Sequence, residues 1–223
     1  MELVEAIRNR YSVRAFSDQP VKKSVIEEIL THAVRSPSWG NTQPWEVAVA
    51  GGPTARNLAE AFAQNILNGV PPCPDFAMPD KFVDEFMDRY RNVGREVFRL
   101  KGIGRDDKQA RMDHYVNNFR GFGAPNLIYL LLDTRLETVY PIFDAGLLAA
   151  HICLLAVDRG LGTCLLAALT MYPDLTRQHL NLGPEKRVAL GLAIGYPLAD
   201  APINSLRTPR EPLERNVTFV DMD

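Results

Sequence analysis

The chain has 223 residues, a formal net charge of −2 and 46% hydrophobic residues, which is the composition of an ordinary globular protein. A charge so close to zero gives no electrostatic reason to expect nucleic acid or an acidic membrane as a partner. The chain does not start with a basic segment followed by an apolar run, and its three cysteines show no C-x-x-C spacing. We therefore expect a cytoplasmic protein with free thiols and no membrane span.

The first part of the chain predicts two helices, a strand and a third helix, in that order. Residues 2–9 carry apolar side chains on one helical face. An S-x-x-E pattern at residues 24–27 is typical of a capping box and predicts that the second helix starts there. Residues 45–50 predict a strand that a Gly-Gly-Pro turn closes, and residues 58–66 predict the third helix.

Residues 69–105 form a segment that we interpret as an excursion from the core. Gly69 and four prolines interrupt residues 69–80, and an amphipathic stretch then runs from Phe82 to Leu100. Such a segment can act as a helical lid over a site. An ordinary helical hairpin on the surface explains the same pattern, and the sequence scarcely separates the two.

The second part of the chain predicts three strands and two helices. After a helix at residues 112–119, the continuous apolar run at residues 127–132 is typical of a central strand buried on both faces. Residues 137–159 predict a helix that is apolar on nearly every side, which indicates a central helix or a dimer interface. Residues 163–167 and 187–194 predict two further strands. The tail that follows carries four prolines and is expected to run extended across a surface.

Several familiar motifs are absent from the sequence. It contains neither G-x-G-x-x-G nor G-x-x-x-x-G-K-[ST], which argues against a Rossmann site and a P-loop. The four histidines are scattered without an H-E-x-x-H pattern, so we expect no metal, and no G-x-S-x-G elbow is present. A redox protein of this sequence must hold its cofactor in another way.

Two segments carry candidate binding chemistry. Arg10 and Arg14 flank Ser12 just after the first predicted helix, and guanidinium groups donate the bidentate hydrogen bonds that suit a phosphate. Taken alone, a solvated surface is the more frequent explanation of such a pair. Residues 36–45 form a polar, proline-restricted loop between a helix and a strand. This loop suits the edge of a planar heterocycle, and a capping turn with Trp45 in the core is the alternative.

Together with two later motifs, these segments resemble the flavin-dependent nitroreductase family. R-x-S-x-R-x-F occupies residues 10–16 and P-S-x-x-N-x-Q-P-W occupies residues 37–45. G-x-G-x-C follows at residues 160–164, and a fourth, two-part motif consists of G-Y-P at residues 195–197 and R-x-P-L-E at residues 210–214. The four motifs occur in family order and cover nearly the whole chain.

The resemblance implies an α+β fold in which helices surround a mixed, mainly antiparallel sheet. It further implies that residues 1–223 form one domain, with a helical lid or insertion at about residues 69–105. Two such chains are expected to form an intertwined homodimer, with the apolar helix in the dimer core and the tail donated to the partner subunit.

The resemblance also implies FMN as the cofactor and NAD(P)H as the electron donor. Arg10, Tyr11 and Ser12 match the segment that holds the FMN phosphate and ribityl chain, and Arg210 matches a phosphate-binding arginine. One family pattern has a lysine where this chain has Thr208, so either Arg207 supplies that charge or the site is less positive. Arg14 matches a cation beside flavin N1 and O2, where it stabilises the reduced flavin.

Further residues match positions around the flavin ring. One set belongs to a loop that reaches the flavin of the partner subunit: Pro37, Ser38, Trp39 and Asn41. A second set lies near flavin N5, where many relatives carry glycine: Leu165, Ala167 and Ala168. A third set contacts the pyrimidine ring in some relatives, although a surface role explains its arginine equally well: Asn117 and Arg120.

The implied reaction is ping-pong reduction of a small aromatic acceptor. NAD(P)H reduces the flavin at N5 and leaves, and a nitroaromatic compound or a quinone then takes its place, the nitro group being reduced to a hydroxylamine. No protein side chain has to act as acid or base, since the protein supplies orientation and a cation. The aromatic residues of the predicted lid are candidates to stack on the substrate, with packing between helices as the alternative: Phe76, Phe82, Phe86 and Tyr90.

Two alternatives remain open at this point. Flavin-dependent reductive dehalogenases and FMN-consuming benzimidazole synthases resemble the same family. The dehalogenases clamp their substrate with a lid E-x-x-x-Y, but here Glu85 is followed at that spacing by Arg89, with Tyr90 one place late. The other alternative is a non-catalytic flavin-binding protein, which rapid oxidation of NAD(P)H by the holoprotein would exclude.

Overall fold

The apolar run predicted to be a buried strand lies at the centre of the sheet. In the computed structural model, which describes residues 1–79 and 81–222, it forms β2 (Asn126–Asp133), with every residue from 127 to 133 buried. The strand β1 (Trp45–Gly51) pairs with one edge of β2 and β4 (Lys186–Gly195) pairs with the other. The strand β3 (Gly162–Leu165) extends the sheet beyond β4. Among the described residues the strand order is β1-β2-β4-β3, and all three pairings are antiparallel.

Helices cover both faces of this sheet. Successive side chains of a strand point to opposite faces, so β2 supplies alternate residues to two separate cores. Leu127, Tyr129 and Leu131 pack into one buried cluster, whereas Ile128 and Leu130 pack into the other. The helices are α1 (Leu3–Asn9), α2 (Lys23–Ala33), α3 (Gly52–Leu67), α4 (Asp84–Leu100), α5 (Lys108–Phe119), α6 (Val139–Asp158), α7 (Pro173–Leu180) and α8 (Leu213–Asn216). The predicted α+β class, with helices around a mainly antiparallel sheet, is confirmed, and the homodimer stays a prediction.

The start of α2 differs from the predicted capping box. The helix begins at Lys23 with Lys22 as its N-cap, and no side chain caps it, so the prediction that the box starts the helix is wrong. Val21 immediately precedes the N-cap, and Ile26 occupies the fourth position of the helix. Both residues belong to the same buried cluster. This arrangement matches a hydrophobic staple, in which packing of an apolar pair fixes the helix entry.

The long helix α6 is covered on one side only. Its length and composition would allow it to cross a membrane, a property that core helices of globular proteins share. One face, including Leu148 and Ile152, is buried with α2 against the sheet. The opposite face exposes Ile142, Phe143 and Leu147. This exposed face argues against the central-helix alternative for the single chain, and the dimer-interface alternative stays a prediction.

The predicted excursion divides into two parts with different surroundings. Residues 70–76 are tied to the body of the protein, because the Tyr172 hydroxyl donates to the Val70 carbonyl at 2.6 Å and Asp75 pairs with Arg177 at 2.8 Å. The second part contains α4, whose Val97 packs against the C-terminal segment. Asp80 and Asp223 fall within the predicted lid and tail but lie outside the described residues.

Candidate functional site

The first and third motifs of the sequence lie side by side. The backbone N–H of Val13 donates to the Thr163 carbonyl at 3.0 Å, and Ser12 forms a parallel bridge with Thr163. A side chain at Gly162 would overlap Val13, so this close approach requires glycine at that position. The N-terminal arginines are thereby held along the edge of β3.

A cavity of about 570 Å³, here called the cationic cavity, lies between this N-terminal segment and the C-terminal segment. Arginines contribute half of its ten lining residues, and none of the ten is acidic. Such a wall suits a phosphate, because the fork of each guanidinium donates charged hydrogen bonds. The lining residues are Ile7, Arg8, Arg10, Tyr11, Ser12, Arg14, Leu206, Arg207, Thr208 and Arg210.

The two C-terminal arginines of this cavity are held by neighbouring groups. The Arg207 guanidinium lies 3.6 Å from the centroid of the Tyr11 ring and donates to the Asn204 carbonyl at 2.8 Å. Arg210 donates to the Thr208 hydroxyl at 2.8 Å. The structure therefore brings Arg207 and Arg210 to the same cavity as Arg10 and Ser12, and Thr208 orients Arg210 instead of adding a charge.

Asn204 is a positioning residue that the sequence did not reveal. Its buried side-chain oxygen accepts from the backbone N–H groups of Arg14 and Ala15 at 2.9 and 3.2 Å. Its amide donates to the carbonyls of Ala15 and Leu198 at 2.7 and 3.0 Å. The residue lies outside the four motifs, and only the fold shows that one side chain joins the two segments that form the cavity.

A second cavity of about 610 Å³, here called the aromatic cavity, shares Arg14 with the first. The Arg14 guanidinium donates to the Ser12 carbonyl at 3.1 Å, which fixes the cation at the junction. The predicted residues Leu165, Ala167 and Ala168 all line this cavity. The remaining lining is Tyr90, Arg91, Val93, Gly94, Val97, Phe98, Arg111, His114, Tyr115, Asn118, Phe119, Cys164, Leu166 and Met171.

The helix α5 presents a different face from the one predicted. Its cavity-lining residues recur at helical spacing and include Tyr115 and Asn118. The predicted Asn117 and Arg120 are not among the lining residues of either cavity, and the Arg120 guanidinium instead donates to Glu60 at 2.9 Å. Because each residue turns a helix by about 100°, Asn118 takes the position expected for Asn117.

His114 is a further lining residue that the sequence did not single out. Burial, followed by the charges of Lys101 and Arg14, lowers the pKa of His114 to about 4, so the imidazole is neutral near pH 7. Lys101 Nζ lies 3.3 Å from His114 Nδ1, and the ring stacks on Phe122 with centroids 6.2 Å apart. A neutral imidazole thus stands in the cavity wall near Arg14.

The four aromatic residues predicted to contact substrate are not brought together. Only Tyr90 lines the aromatic cavity, where its exposed ring stacks on Phe82 with centroids 5.3 Å apart. Phe86 lies under the Arg89 guanidinium, 4.9 Å from the ring centroid. Phe76 packs with the α2 and α6 cluster and under Arg187, because residues 70–76 are tied to the body.

The dehalogenase-type clamp is also not formed by the segment predicted to be a lid. Glu85 lies 4.0 Å from Arg89, and Arg89 lies 3.1 Å from Glu211 of the tail. Both residues of the altered E-x-x-x-Y pattern are therefore engaged in ion pairs. These ion pairs favour the reduction of nitroarenes over reductive dehalogenation as the hypothesis for this site.

The predicted partner-reaching loop lies beside α6, and its four predicted residues are absent from the linings of both cavities: Pro37, Ser38, Trp39 and Asn41. The Trp39 backbone N–H donates to the buried Asp144 carboxylate at 3.2 Å, and the Trp39 ring stacks on Tyr140 at 5.2 Å. Gly40 and Asn41 adopt positive φ angles of 56° and 57°, a conformation that glycine and asparagine tolerate, so the loop turns tightly at this point. The Trp39 side chain is 68% exposed.

Sequence comparisons identify similar proteins over nearly the full chain. A family model described as the nitroreductase family matches residues 7–196. A 4-nitrobenzoate reductase of Pseudomonas putida is 30% identical over 97% of this chain and 95% of its own length. A nitrobenzene nitroreductase of Ectopseudomonas oleovorans is 31% identical over 97% of this chain and 96% of its own length.

Comparisons with solved structures also identify nitroreductases as similar proteins. The FMN and NADPH-dependent nitroreductase NfnB from Sphigopyxis sp. strain HMH superimposes with a TM-score of 0.94 and 32% identity, covering 100% of both chains. The FMN-dependent nitroreductase NfnB from Mycobacterium smegmatis, solved in complex with NADPH, gives a TM-score of 0.91 and 27% identity. That alignment covers 98% of this chain and 100% of the other.

Proposed function

This chain belongs to the nitroreductase family, as its four motifs predicted, and we propose that it is an FMN-dependent oxidoreductase that reduces nitroaromatic compounds with NAD(P)H. The observation that carries the proposal is the meeting of the cationic and aromatic cavities at Arg14. A ligand with a phosphate at one end and a planar ring at the other fits such a pair of cavities. The FMN- and NADPH-dependent relatives support the same cofactor and donor.

The cationic cavity has the chemistry that the FMN phosphate requires. A phosphate monoester carries roughly −1.5 to −2 charges near neutral pH, which a wall of arginines balances. Arg10, Arg210 and Ser12 would hold the phosphate and ribityl chain. The cation that a lysine supplies in one family pattern would come from Arg207, whose guanidinium already stands over Tyr11.

At the other end, the protein would orient a flat ring and stabilise charge. FMN, when bound, supplies the redox chemistry by accepting hydride from NAD(P)H and passing electrons to the acceptor. Arg14 is fixed by Ser12 and Asn204 and would stabilise negative charge on the ring. Ala167 and Ala168 leave room for close approach at the end of β3. Donor and acceptor would occupy the aromatic cavity in turn, as a ping-pong reaction requires.

We also propose that two chains associate through an exposed apolar face. This apolar face consists of Leu3, Val4 and Ile7 on α1 and Val139, Tyr140, Ile142, Phe143 and Leu147 on α6, all exposed in the single chain. Large exposed apolar side chains on two helices that contact each other favour an interaction site here. Trp39 stacks on Tyr140 at its border, so a partner seated there would receive Pro37, Ser38, Trp39 and Asn41 near its own cavities.

We propose that the whole chain forms one domain and that α4 acts as the cover of the aromatic cavity. Tyr90, Val93 and Gly94 of α4 line that cavity, while its last turn is anchored through Val97. The free, buried thiols of Cys153 and Cys164 suit a reducing cytoplasm.

The visible absorption spectrum of the purified protein tests the proposed function. A yellow protein should bleach when NADPH is added without oxygen and recover its colour when a nitroarene follows. A yellow protein that NADPH and NADH fail to bleach would favour the non-catalytic flavin-binding alternative. A colourless protein that FMN cannot reconstitute would contradict the roles given to Arg10, Arg14 and Arg210.

A further inference from the structure

Two arginines stand at the outer end of the aromatic cavity, away from its junction with the cationic cavity. Arg91 on α4 and Arg111 on α5 line the aromatic cavity and also a smaller neighbouring cavity of about 370 Å³, here called the outer cavity. Arg14 lines the aromatic cavity and the cationic cavity instead. The aromatic cavity therefore carries positive charge at both ends.

Arg111 is fixed in place without a carboxylate partner. Its guanidinium lies over the Phe98 ring at 4.4 Å from the centroid, and its Nε donates to the Gly104 carbonyl at 3.3 Å. Among the described residues, no carboxylate lies within 4.0 Å of Arg91 or Arg111, whereas Arg89 and Arg99 of the same lid region are both paired. The two terminal nitrogens of Arg111 are thus left to bind an anion from outside the chain.

The rest of the cavity wall favours an anion that is attached to an aromatic ring. No lining residue of the aromatic cavity is acidic, and the side chains between its two ends are mainly apolar, including Phe98, Phe119 and Leu166. The adjoining outer cavity is lined by one carboxylate, Asp88, against three arginines, so the charge around Arg111 stays positive. A guanidinium binds a carboxylate through two parallel hydrogen bonds, and this binding is stronger in a partly desolvated wall than in water. An apolar wall between two fixed cations matches a flat ring with a reducible group at one end and a carboxylate at the other.

We propose that this enzyme prefers nitroarenes bearing a ring carboxylate, and that Arg111, assisted by Arg91, binds this carboxylate and so determines specificity. This inference rests on the proposed function and names the acceptor class of the same site. The carboxylate binds at the outer end, which directs the nitro group toward the Arg14 end of the cavity. A neutral nitroarene fills the same space without this orientation.

The test compares 4-nitrobenzoate with the neutral 4-nitrobenzamide, which has nearly the same shape. We expect the wild-type holoenzyme to show the higher kcat/KM with 4-nitrobenzoate. Arg111→Gln should lower this value ~10-fold or more, mainly through KM, because one charge-assisted hydrogen-bond pair is removed. The value for 4-nitrobenzamide should change less than about twofold. Arg111→Lys should recover part of the loss, and Arg91→Gln should give a smaller loss of the same kind.

The controls separate specificity from structure. Arg105→Gln removes an exposed arginine of the adjacent loop that lines neither cavity, and it should leave both substrates unaffected. Equal losses for both substrates in Arg111→Gln would show that Arg111 only supports Phe98, and the proposal would be overturned. Unchanged kinetics with 4-nitrobenzoate in both arginine variants would overturn it as well.

The same cations could instead bind a phosphate of the electron donor, and a second measurement distinguishes this source. Stopped-flow reduction of the enzyme by NADPH and by NADH reports on the donor alone. If Arg111→Gln slows reduction by NADPH only and leaves 4-nitrobenzoate unaffected, Arg111 serves the donor phosphate and the proposal is overturned. If the enzyme reduces 4-nitrobenzamide and 4-nitrobenzoate with equal efficiency, the proposed function stands and the proposed specificity is overturned. If the enzyme reduces neither compound, both the function and the specificity are contradicted.

Discussion

At the scale of single residues, Asn204 holds together the two segments that form the cationic cavity. Asn204→Ala removes all four hydrogen bonds of this side chain and leaves backbone groups of residues 14, 15 and 198 without these partners. Because each hydrogen bond contributes a net ~0.5–1.5 kcal/mol to stability, we expect the loss of four to lower the free energy of unfolding by about 2–6 kcal/mol, measured by urea unfolding. FMN affinity, measured by flavin fluorescence, should also fall. The exposed Asn216→Ala is the control, and unchanged FMN affinity in Asn204→Ala would contradict the positioning role.

Burial of His114 makes the stability of the fold depend on pH, and the direction of this dependence follows from the shift of its pKa. Its pKa falls from 6.5 to about 4 on folding, so the unfolded chain binds the proton more readily between these values. The associated stability is fully present above pH 6.5 and is lost as the pH falls toward 4. In His114→Gln, the melting temperature should therefore decrease less over this interval than in the wild type. Parallel pH profiles of the two proteins would show that His114 does not carry this dependence.

At the scale of elements, the face that α5 presents could not be read from the motifs. The sequence placed a helix near the flavin, but the rotation of a helix is set by tertiary packing, here that of Val116 and Phe119. The start of α2 shows the same limit, because the pairing of Val21 with Ile26 decides it and not the capping pattern. Likewise, no local pattern reveals that Asp75 pairs with Arg177 across the fold.

Two neighbouring asparagines test the face of α5. Asn118→Ala should lower kcat/KM for a nitroarene roughly 3- to 10-fold, because Asn118 lines the aromatic cavity and can hydrogen-bond a ligand there. Asn117→Ala is its matched control, since it changes the same side chain one position away and should have little effect. The reverse order of the two effects would restore the alignment predicted from the sequence. Steady-state kinetics of the purified holoenzymes provide the measurement.

At the scale of the whole molecule, the motifs predicted the family and the fold class, while the apolar face was visible only in part. The continuous apolar run of β2 is a local property of the sequence, so the prediction of a central strand buried on both faces was correct. The apolar face joins α1 to α6, and the sequence could indicate only that α6 needed a cover.

The proposed dimer can be tested by placing a charge on the apolar face. Phe143 is 66% exposed in the single chain, so Phe143→Glu should leave the fold intact and disrupt association. Light scattering after size exclusion should then show a 24.9 kDa monomer where the wild type shows twice that mass. Met112→Glu, an exposed site on α5, is the control and should stay dimeric. A monomeric wild type would refute the assembly.

The position of Ile7 links assembly to the cofactor. This residue belongs to the apolar face and also lines the cationic cavity, so the cavity opens at the border of the proposed interface. Ligand retention and subunit association would then obey one mass-action equilibrium. Progressive dilution of the enzyme should release FMN and cause a specific activity that falls with protein concentration. Added FMN should lower the protein concentration at which half of the specific activity is lost, so that the flavin itself would act as an assembly factor.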